Sequence, residues 1–287
     1  MGFNFYFKNE FLYLLNRSKS KLKMKKSLFI CLIAFAGLSL TFSCSKTGLK
    51  PAKTDSLNVG LIAYYPFNNS AADVSGNNYN GTAHNVTTVT DHLGNQNGAY
   101  YFKGDSTSYI SVPDYAALRL ANTDFTINVW VELTTYNSSI GSHIVSKRLG
   151  SVDEGYTYSV DGYGYTGGVL GVQGFGAGGG SYNAVSDSGI TLNKWYMLTL
   201  EYSSKSQSVA FFRNGLLNGI TYYITAPDPN ETATMYFGKD SPQQPTTYFL
   251  NGAMSEARIY SRILKPGELT ALYTETSVTT SLTPSIN

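Results

Sequence analysis

The chain has 287 residues, of which 42% are hydrophobic and 14% aromatic, and its formal net charge is +2. Residues 1–43 hold seven basic residues and one acidic residue, so residues 44–287 hold 14 basic and 18 acidic residues and carry a net charge of −4. The apolar content excludes an intrinsically disordered chain, because it suffices to bury a core. The negative charge of the remainder argues against nucleic acid as a partner.

The amino-terminal segment has the pattern of an export signal. Lys25 and Lys26 precede an apolar run of 15 residues, 28–42, which ends at Ser43-Cys44. A basic start, a short apolar stretch and a small residue before the cleavage point are typical of a secretory signal. The run is shorter than the about 20 residues that span a bilayer. We therefore expect residues 1–43 to be an export leader, with Met24 as its true start.

The end of this run, LTFSC at 40–44, resembles the lipobox of bacterial lipoproteins, with Thr41 where leucine is usual. The resemblance implies that Cys44 is acylated and that the protein is an outer-membrane or cell-surface lipoprotein held to the membrane by a lipid anchor. An ordinary cleaved signal, with Cys44 incidental, is the alternative. Polar residues 44–58 are expected to form a tether, and residues 274–287 a flexible tail.

Residues 59–273 alternate β-patterned runs with turn-forming clusters, which is typical of an antiparallel sandwich. One run alternates strictly, and its apolar residues should share one strand face: Phe125, Ile127, Val129, Val131 and Leu133. Asn214-Gly215 predicts a type I′ hairpin turn, which needs positive φ at both positions. The other predicted strands are 61–67, 99–103, 109–112, 143–147, 156–160, 169–172, 195–202, 209–213, 220–225, 235–238 and 253–260.

One short helix is predicted near the carboxyl end. Pro266 suits the first helical position, and Glu268 lies in the first turn, where the helix dipole favours a negative charge. Leu269, Leu272 and Tyr273 follow at a spacing that gives a small apolar face. By contrast, the glycine-rich segment 167–180 is expected to be a flexible loop between strands.

Eight motifs follow one another through most of the predicted domain. They are LIAYYPF at 61–67, DVSGN at 73–77, YFKGD with YISVP at 101–113, FTINVWV at 125–131, IVSK at 144–147, WYMLTL at 195–200, FFRNG at 211–215, and FLNG with EARIY at 249–260. In this order they resemble the LamG-like jelly roll of the concanavalin A-like lectin/glucanase superfamily. The resemblance implies an all-β, two-sheet antiparallel jelly-roll sandwich. It does not choose a function, because the fold serves lectins, hydrolases and adhesion modules alike.

Hydrolases of this superfamily carry a Glu-x-Asp-x-x-Glu strand motif, whose carboxylates act on the glycosidic bond. That spacing does not occur in this sequence, and the adjacent Asp153 and Glu154 would face opposite sides of a strand. The sequence therefore favours a non-catalytic, monomeric domain that binds a glycan or cell-surface polysaccharide. A protein-binding adhesion or scaffold module and a divergent glycoside hydrolase are the alternatives.

Aromatic rings in loops are the predicted sugar-binding groups, because CH–π contact needs a ring free of core packing. The candidate rings are Tyr163, Tyr165, Phe175 and Tyr182, and the candidate hydrogen-bonding residues are Asp161 and Asn183. The alternative is that these rings pack on neighbouring strands and leave only their hydroxyl groups at the surface.

The family resemblance also implies a structural Ca²⁺ near the first loop and the last strand. Asp73, Asn77, Asn78 and Glu256 are the candidate ligands, since calcium prefers carboxylate and amide oxygens. In the last strand Ser255 stands where the family has an aspartate. The alternative is a purely hydrogen-bonded loop in which Asp73 forms an Asx turn.

Overall fold

The computed structural model describes residues 54–121, 123–137, 141–149, 155–160, 170–177, 184–242 and 248–274. In this part of the chain, fifteen strands form two antiparallel sheets, which confirms the predicted all-β sandwich. The export leader, Cys44 and most of the tether lie outside the described residues, so these predictions stay predictions. Within the same residues, no helix is both long and apolar enough to pass through a membrane.

The described strands divide into a sheet of eight and a sheet of seven. The sheet of eight has the order β13 (Leu216–Tyr222), β12 (Ser208–Arg213), β11 (Tyr196–Ser203), β6 (Phe125–Leu133), β15 (Asn251–Tyr260), β4 (Ala99–Lys103) and β3 (Thr87–Val89), with β1 (Leu61–Tyr65) also paired to β15. The sheet of seven has the order β10 (Ala184–Val185), β9 (Gln173–Ala177), β8 (Tyr156–Val160), β7 (Ser142–Lys147), β14 (Met235–Phe237), β5 (Tyr109–Val112) and β2 (Thr82–His84). Every described pairing is antiparallel.

The main core lies between the two sheets, and β6 supplies its centre. The five alternating residues predicted to share one face of this strand are all fully buried. The ring of Phe125 lies 5.1 Å from that of Tyr202 and 6.0 Å from that of Phe175, so it joins the two sheets. Burying one such side chain stabilises the fold by about 1.5–3 kcal/mol.

The predicted helix is present as α1 (Pro266–Thr274), and it covers the outer face of the eight-stranded sheet. Leu269 and Leu272 pack there in a second apolar cluster with Trp130 of β6. Both faces of β6 are consequently buried, apart from a partly exposed Glu132.

The Asn214-Gly215 turn is confirmed, since the two residues have φ values of 54° and 76° between β12 and β13. Two other sequence predictions are wrong. The glycine-rich segment contains the buried strand β9 rather than only a loop. Residues 170–172 of the predicted strand 169–172 do not form a strand, and β9 begins directly after them. In β9, Phe175 points into the core, and the neighbouring glycines leave the opposite face without side chains.

Candidate functional site

An exposed apolar surface runs along β13, the outermost strand of the described eight-stranded sheet. It consists of Leu216, Leu217, Ile220, Tyr222 and Tyr223, here called the β13 surface. Four of these side chains are more than half exposed, and Tyr223 is 93% exposed. Contiguous apolar exposure of this kind marks interaction sites more often than isolated apolar residues do.

The backbone at the end of β13 explains why the Tyr223 ring stays outside the core. Tyr223 has φ 65°, a left-handed conformation that is costly for a residue with a large side chain. The next residue, Ile224, is buried, and its N–H donates to the carbonyl of Gln207 at 2.8 Å. The chain therefore turns at Tyr223, placing Ile224 in the core and leaving two consecutive tyrosines outside.

The sequence could have indicated this site. Tyr222 is 55% exposed next to Tyr223, while the following isoleucine is buried. Adjacent residues of a strand face opposite sides, so a tyrosine doublet at a strand end cannot send both rings into one core. The prediction instead placed the strand at 220–225 and did not consider either tyrosine as a ligand-binding residue.

Of the predicted sugar-binding residues, the structure describes only Phe175. Its ring is fully buried in β9 and lies 6.0 Å from that of Phe125, so the prediction of a stacking ring at this position is wrong. Tyr163, Tyr165, Tyr182, Asp161 and Asn183 lie outside the described residues. The strands that flank them, β8, β9 and β10, form one end of the seven-stranded sheet.

The outer face of the seven-stranded sheet carries a second group of rings, but the protein's own side chains already contact them. His84 stacks on Tyr109 with ring centroids 4.3 Å apart. Lys239 Nζ lies 3.6 Å from the centre of the Tyr109 ring and 4.7 Å from that of Tyr236. These cation–π and stacking contacts order the face, and the rings are less available to a ligand than Tyr223.

Beside these rings, Asp240 is the centre of a buried ionic cluster. Its carboxylate accepts two hydrogen bonds from the Arg148 guanidinium, and Ser146 Oγ donates to it at 2.6 Å. Burial opposes ionisation, but the adjacent His143 and Arg148 lower the pKa of Asp240 far below its usual range. Asp240 is therefore ionised at neutral pH and joins β7 to the chain that follows β14.

The carboxylates of Glu201 in β11 and of Glu268 in the first turn of α1 interact electrostatically at the helix junction. Glu201 of β11 accepts the backbone N–H of Leu264 at 3.2 Å. Glu268 accepts two hydrogen bonds from Arg262, at 2.8 and 2.9 Å. Both side chains are buried in the helix junction. Burial, with a smaller contribution from Glu268, raises the pKa of Glu201 to about 7. This arrangement anchors the helix rather than opening onto a cleft.

Three of the four candidate calcium ligands, Asp73, Asn77 and Glu256, are engaged in hydrogen bonds or ion pairs. Asp73 accepts four hydrogen bonds: its Oδ1 from the backbone N–H groups of Tyr64 and Ser75, and its Oδ2 from the Ser75 hydroxyl and the Tyr79 N–H. A carboxylate offers about four such positions, so the loop uses them all. Asn77 Nδ2 donates to the Ile62 carbonyl at 2.8 Å.

The remaining two candidate ligands are Glu256 and Asn78. Glu256 pairs with Arg258 at 3.2 Å, and Asn78 adopts φ 59° as part of the loop turn. Among the described residues, no group of three or more histidine, cysteine, aspartate or glutamate side chains could hold a metal ion. The contacts match the hydrogen-bonded loop with an Asx turn at Asp73, which already occupies the Asp73 carboxylate.

The fold and these sites can now be compared with known proteins. A family model described as the concanavalin A-like lectin/glucanases superfamily matches residues 102–270, which is more than half of the chain. The chain belongs to the concanavalin A-like lectin/glucanase superfamily. This confirms the resemblance drawn from the eight motifs. No curated protein sequence matches the chain at a significant level.

Solved structures of this superfamily fold include several binding domains. Domain 4 of AbnA, an extracellular arabinanase from Geobacillus stearothermophilus, in complex with arabinotriose, matches with a TM-score of 0.53 and 21% identity, covering 74% of this chain and 98% of that domain. A structure of botulinum neurotoxin type C, whose cell entry depends on two ganglioside molecules, matches with a TM-score of 0.55 and 13% identity. The match covers 77% of this chain and 52% of that chain. The binding domain of botulinum neurotoxin DC in complex with rat synaptotagmin II matches with a TM-score of 0.53 and 16% identity. The match covers 76% of this chain and 52% of that chain.

These likenesses establish the fold, since all the identities are low. The chain spans about half the length of the two toxin structures and nearly the full length of the arabinanase domain. The three proteins are therefore similar to this chain in architecture, and the ligand of this chain has to be argued from its own surface.

Proposed function

We propose that the protein is a non-catalytic glycan-binding module and that the β13 surface holds the sugar. The observation that carries the proposal is the exposure of Tyr223, whose ring is held outside the fold by a left-handed backbone. An aromatic ring without core contacts offers a flat apolar face for the C–H groups of a sugar ring. Tyr222 and the adjacent leucines extend this face along the strand.

The ligands named for similar structures support this choice of ligand class. The arabinanase domain is a complex with arabinotriose, and the type C neurotoxin depends on gangliosides, so two proteins with this fold engage carbohydrate. The proposal for this chain also includes export and acylation of Cys44, which would display the domain at the outer membrane or cell surface. Radiolabelled palmitate incorporation that is lost in Cys44→Ser would support the anchor.

The test of glycan binding is affinity electrophoresis of the full chain in gels that contain arabinan, other plant polysaccharides or bacterial polysaccharides, followed by a glycan array. We expect at least one polysaccharide to retard the protein, and Tyr223→Ala to abolish the retardation. Tyr273→Ala is the matched control, because Tyr273 is 43% exposed but its ring stacks on Trp130 at 5.7 Å.

Unchanged retardation of Tyr223→Ala would contradict the assignment of the β13 surface. The Tyr223→Ala variant should remain folded in this assay, since removal of an exposed side chain changes the free energy of unfolding by about 0.5 kcal/mol or less.

A protein partner is the second candidate function. The leucine-rich end of the β13 surface, with Leu216 74% and Leu217 61% exposed, would suit an apolar protein contact equally well. The complex of a neurotoxin binding domain with synaptotagmin II is a protein-bound example of the fold. Loss of a protein complex in Leu217→Ser, together with no retardation by any polysaccharide, would favour this reading.

A further inference from the structure

We propose that a cavity beside the β13 surface binds the acidic group of a glycan, a carboxylate or a sulfate ester on a sugar ring. The inference rests on the proposed glycan-binding function and names the ligand class more narrowly. The cavity has a volume of about 490 Å³. This lies within the range of small-molecule sites, about 300–1,000 Å³.

The cavity forms where two sheets meet at their edges. Its walls come from the start of β11, the hairpin turn between β12 and β13, the first residues of β13, and the loop that enters β11 from β10. Asn218 fixes this loop, because its side chain donates to the Ser188 carbonyl at 2.7 Å and accepts from the Ser188 hydroxyl at 2.6 Å. The Ile190 N–H also donates to the Gly171 carbonyl at 2.9 Å. The site is therefore built on ordered backbone.

Positive charge lines the cavity without a matching negative charge. Lys194 and Arg213 are both lining residues. Neither forms an ion pair with another described residue, whereas Lys147, Arg148 and Arg262 all do. No acidic residue lines the cavity. The part of the chain after the leader is negative overall, so an unpaired cationic cavity is a local exception.

The hydrogen-bonding groups have a similar excess of donors. Arg213 uses Nη1 to donate to the Gly189 carbonyl, and the remaining guanidinium N–H groups make no hydrogen bond within the described chain. Asn214 Oδ1 accepts the Met197 N–H at 3.0 Å, which leaves its Nδ2 group without a described acceptor. Lys194 Nζ lies 5.3 Å from the centre of the Tyr196 ring. A ligand that supplies acceptor oxygens and negative charge would satisfy these groups.

The phenol group of Tyr196, at the cavity wall, is affected by the same two positive charges. Burial opposes ionisation of Tyr196, but its hydrogen bond with Thr191, at 2.9 Å, and the charges of Lys194 and Arg213 together lower its pKa. The two cations therefore act at the same point of the cavity.

A glycan fits the surroundings better than an isolated anion does. Leu216 and Leu217 belong both to the cavity wall and to the β13 surface, so the two sites are continuous. Tyr222 lies five positions after Leu217 in the strand, which corresponds to about 17 Å. One acidic oligosaccharide could therefore place a charged group in the cavity and a neutral ring on the tyrosines.

The experiment measures binding of the full chain to polygalacturonate, dextran sulfate, neutral dextran and poly-L-glutamate by affinity electrophoresis and calorimetry at low and high salt. We expect one of the two acidic polysaccharides to bind, and the choice between them separates carboxylate from sulfate. Lys194→Gln should weaken that binding about tenfold, since it removes one charge-assisted contact. Lys194 makes no described hydrogen bond, so this variant should fold normally.

Lys205→Gln is the matched control, because Lys205 is an exposed lysine in the turn between β11 and β12. Arg213→Lys provides a second variant that keeps the charge but loses the fork of donors, and it should weaken binding less than Arg213→Gln does. Melting temperatures of all variants would verify that they are folded.

The inference would be overturned if Lys194→Gln and Arg213→Gln bound the acidic polysaccharide as tightly as the unaltered chain does. It would also be overturned if poly-L-glutamate bound as tightly as the acidic polysaccharide and lost binding to the same extent in these variants. Neutral polysaccharide that binds through Tyr223, with no acidic ligand retained, would refute the cavity assignment and leave the proposed function standing. If no polysaccharide of any kind is bound, both fail.

Discussion

Glu201 gives the sharpest prediction about stability, because its environment couples the fold to pH. The carboxyl group is buried under α1, and its pKa is raised from 4.5 to about 7. The folded protein therefore binds a proton at Glu201 between pH 4.5 and 7 that the unfolded chain has already lost. Stability due to this group is highest at acid pH and decreases as pH rises through that window.

The Glu201→Gln substitution removes the titrating group and keeps the shape of the side chain. Each pH unit between the two pKa values corresponds to about 1.4 kcal/mol, so the variant should gain about 3 kcal/mol relative to the unaltered protein on going from pH 4.5 to 7.5. Its Oε1 atom can still accept the N–H of Leu264.

The measurement is urea unfolding of both proteins at steps of half a pH unit from pH 4.5 to 8, with tryptophan fluorescence as the signal that monitors unfolding. Asp187→Asn, which removes one exposed carboxylate, controls for the change in net charge. If the stability difference between Glu201→Gln and the unaltered protein is constant across this range, the reasoning is wrong.

The remaining predictions concern the ionic cluster, the first loop and one glycine. Asp240→Ala should cost about 3–5 kcal/mol in urea unfolding at pH 7, since it removes the carboxylate that pairs with the buried Arg148 guanidinium, and a loss below 1 kcal/mol would contradict this. Asp73→Ala should cost about 2–3 kcal/mol because partly buried N–H groups lose their acceptor. Calcium and chelator should give the same melting temperature in calorimetry, and a rise with calcium would restore the calcium site. Gly155→Ala should cost about 3 kcal/mol or more, because Gly155 has φ 76° and a Cβ would lie 1.9 Å from the Lys147 carbonyl oxygen; normal stability would show that the backbone moves freely there.

The fold was predictable because its signals are local. Alternation along β6, the tolerance of Asn214-Gly215 for positive φ and the proline and glutamate at the start of α1 each depend on a few neighbouring residues. The family motifs then supplied the arrangement of the sheets. None of these signals depends on which distant segment covers a surface.

The site was harder to predict because burial is decided by distant segments. Phe175 lies among glycines, which suggested a loop, yet the facing sheet supplies Phe125 and makes this stretch a buried strand. The strand prediction at 220–225 took Tyr222 and Tyr223 as continuing strand, whereas the left-handed turn that exposes Tyr223 depends on how Ile224 meets the core.

The sequence by itself determined the all-β class, the charge division between residues 1–43 and 44–287, and the family, because composition and short motifs carry that information. Only the tertiary structure decided that Lys194 and Arg213, 19 positions apart, line one cavity, and that Glu201 lies beside Glu268 under the helix. Charges act through space, so the pairing of residues far apart in the chain becomes visible only when the sheets are assembled. The +2 of the whole sequence conceals a negative domain, and that domain holds a positive cavity that no sum over the sequence reveals.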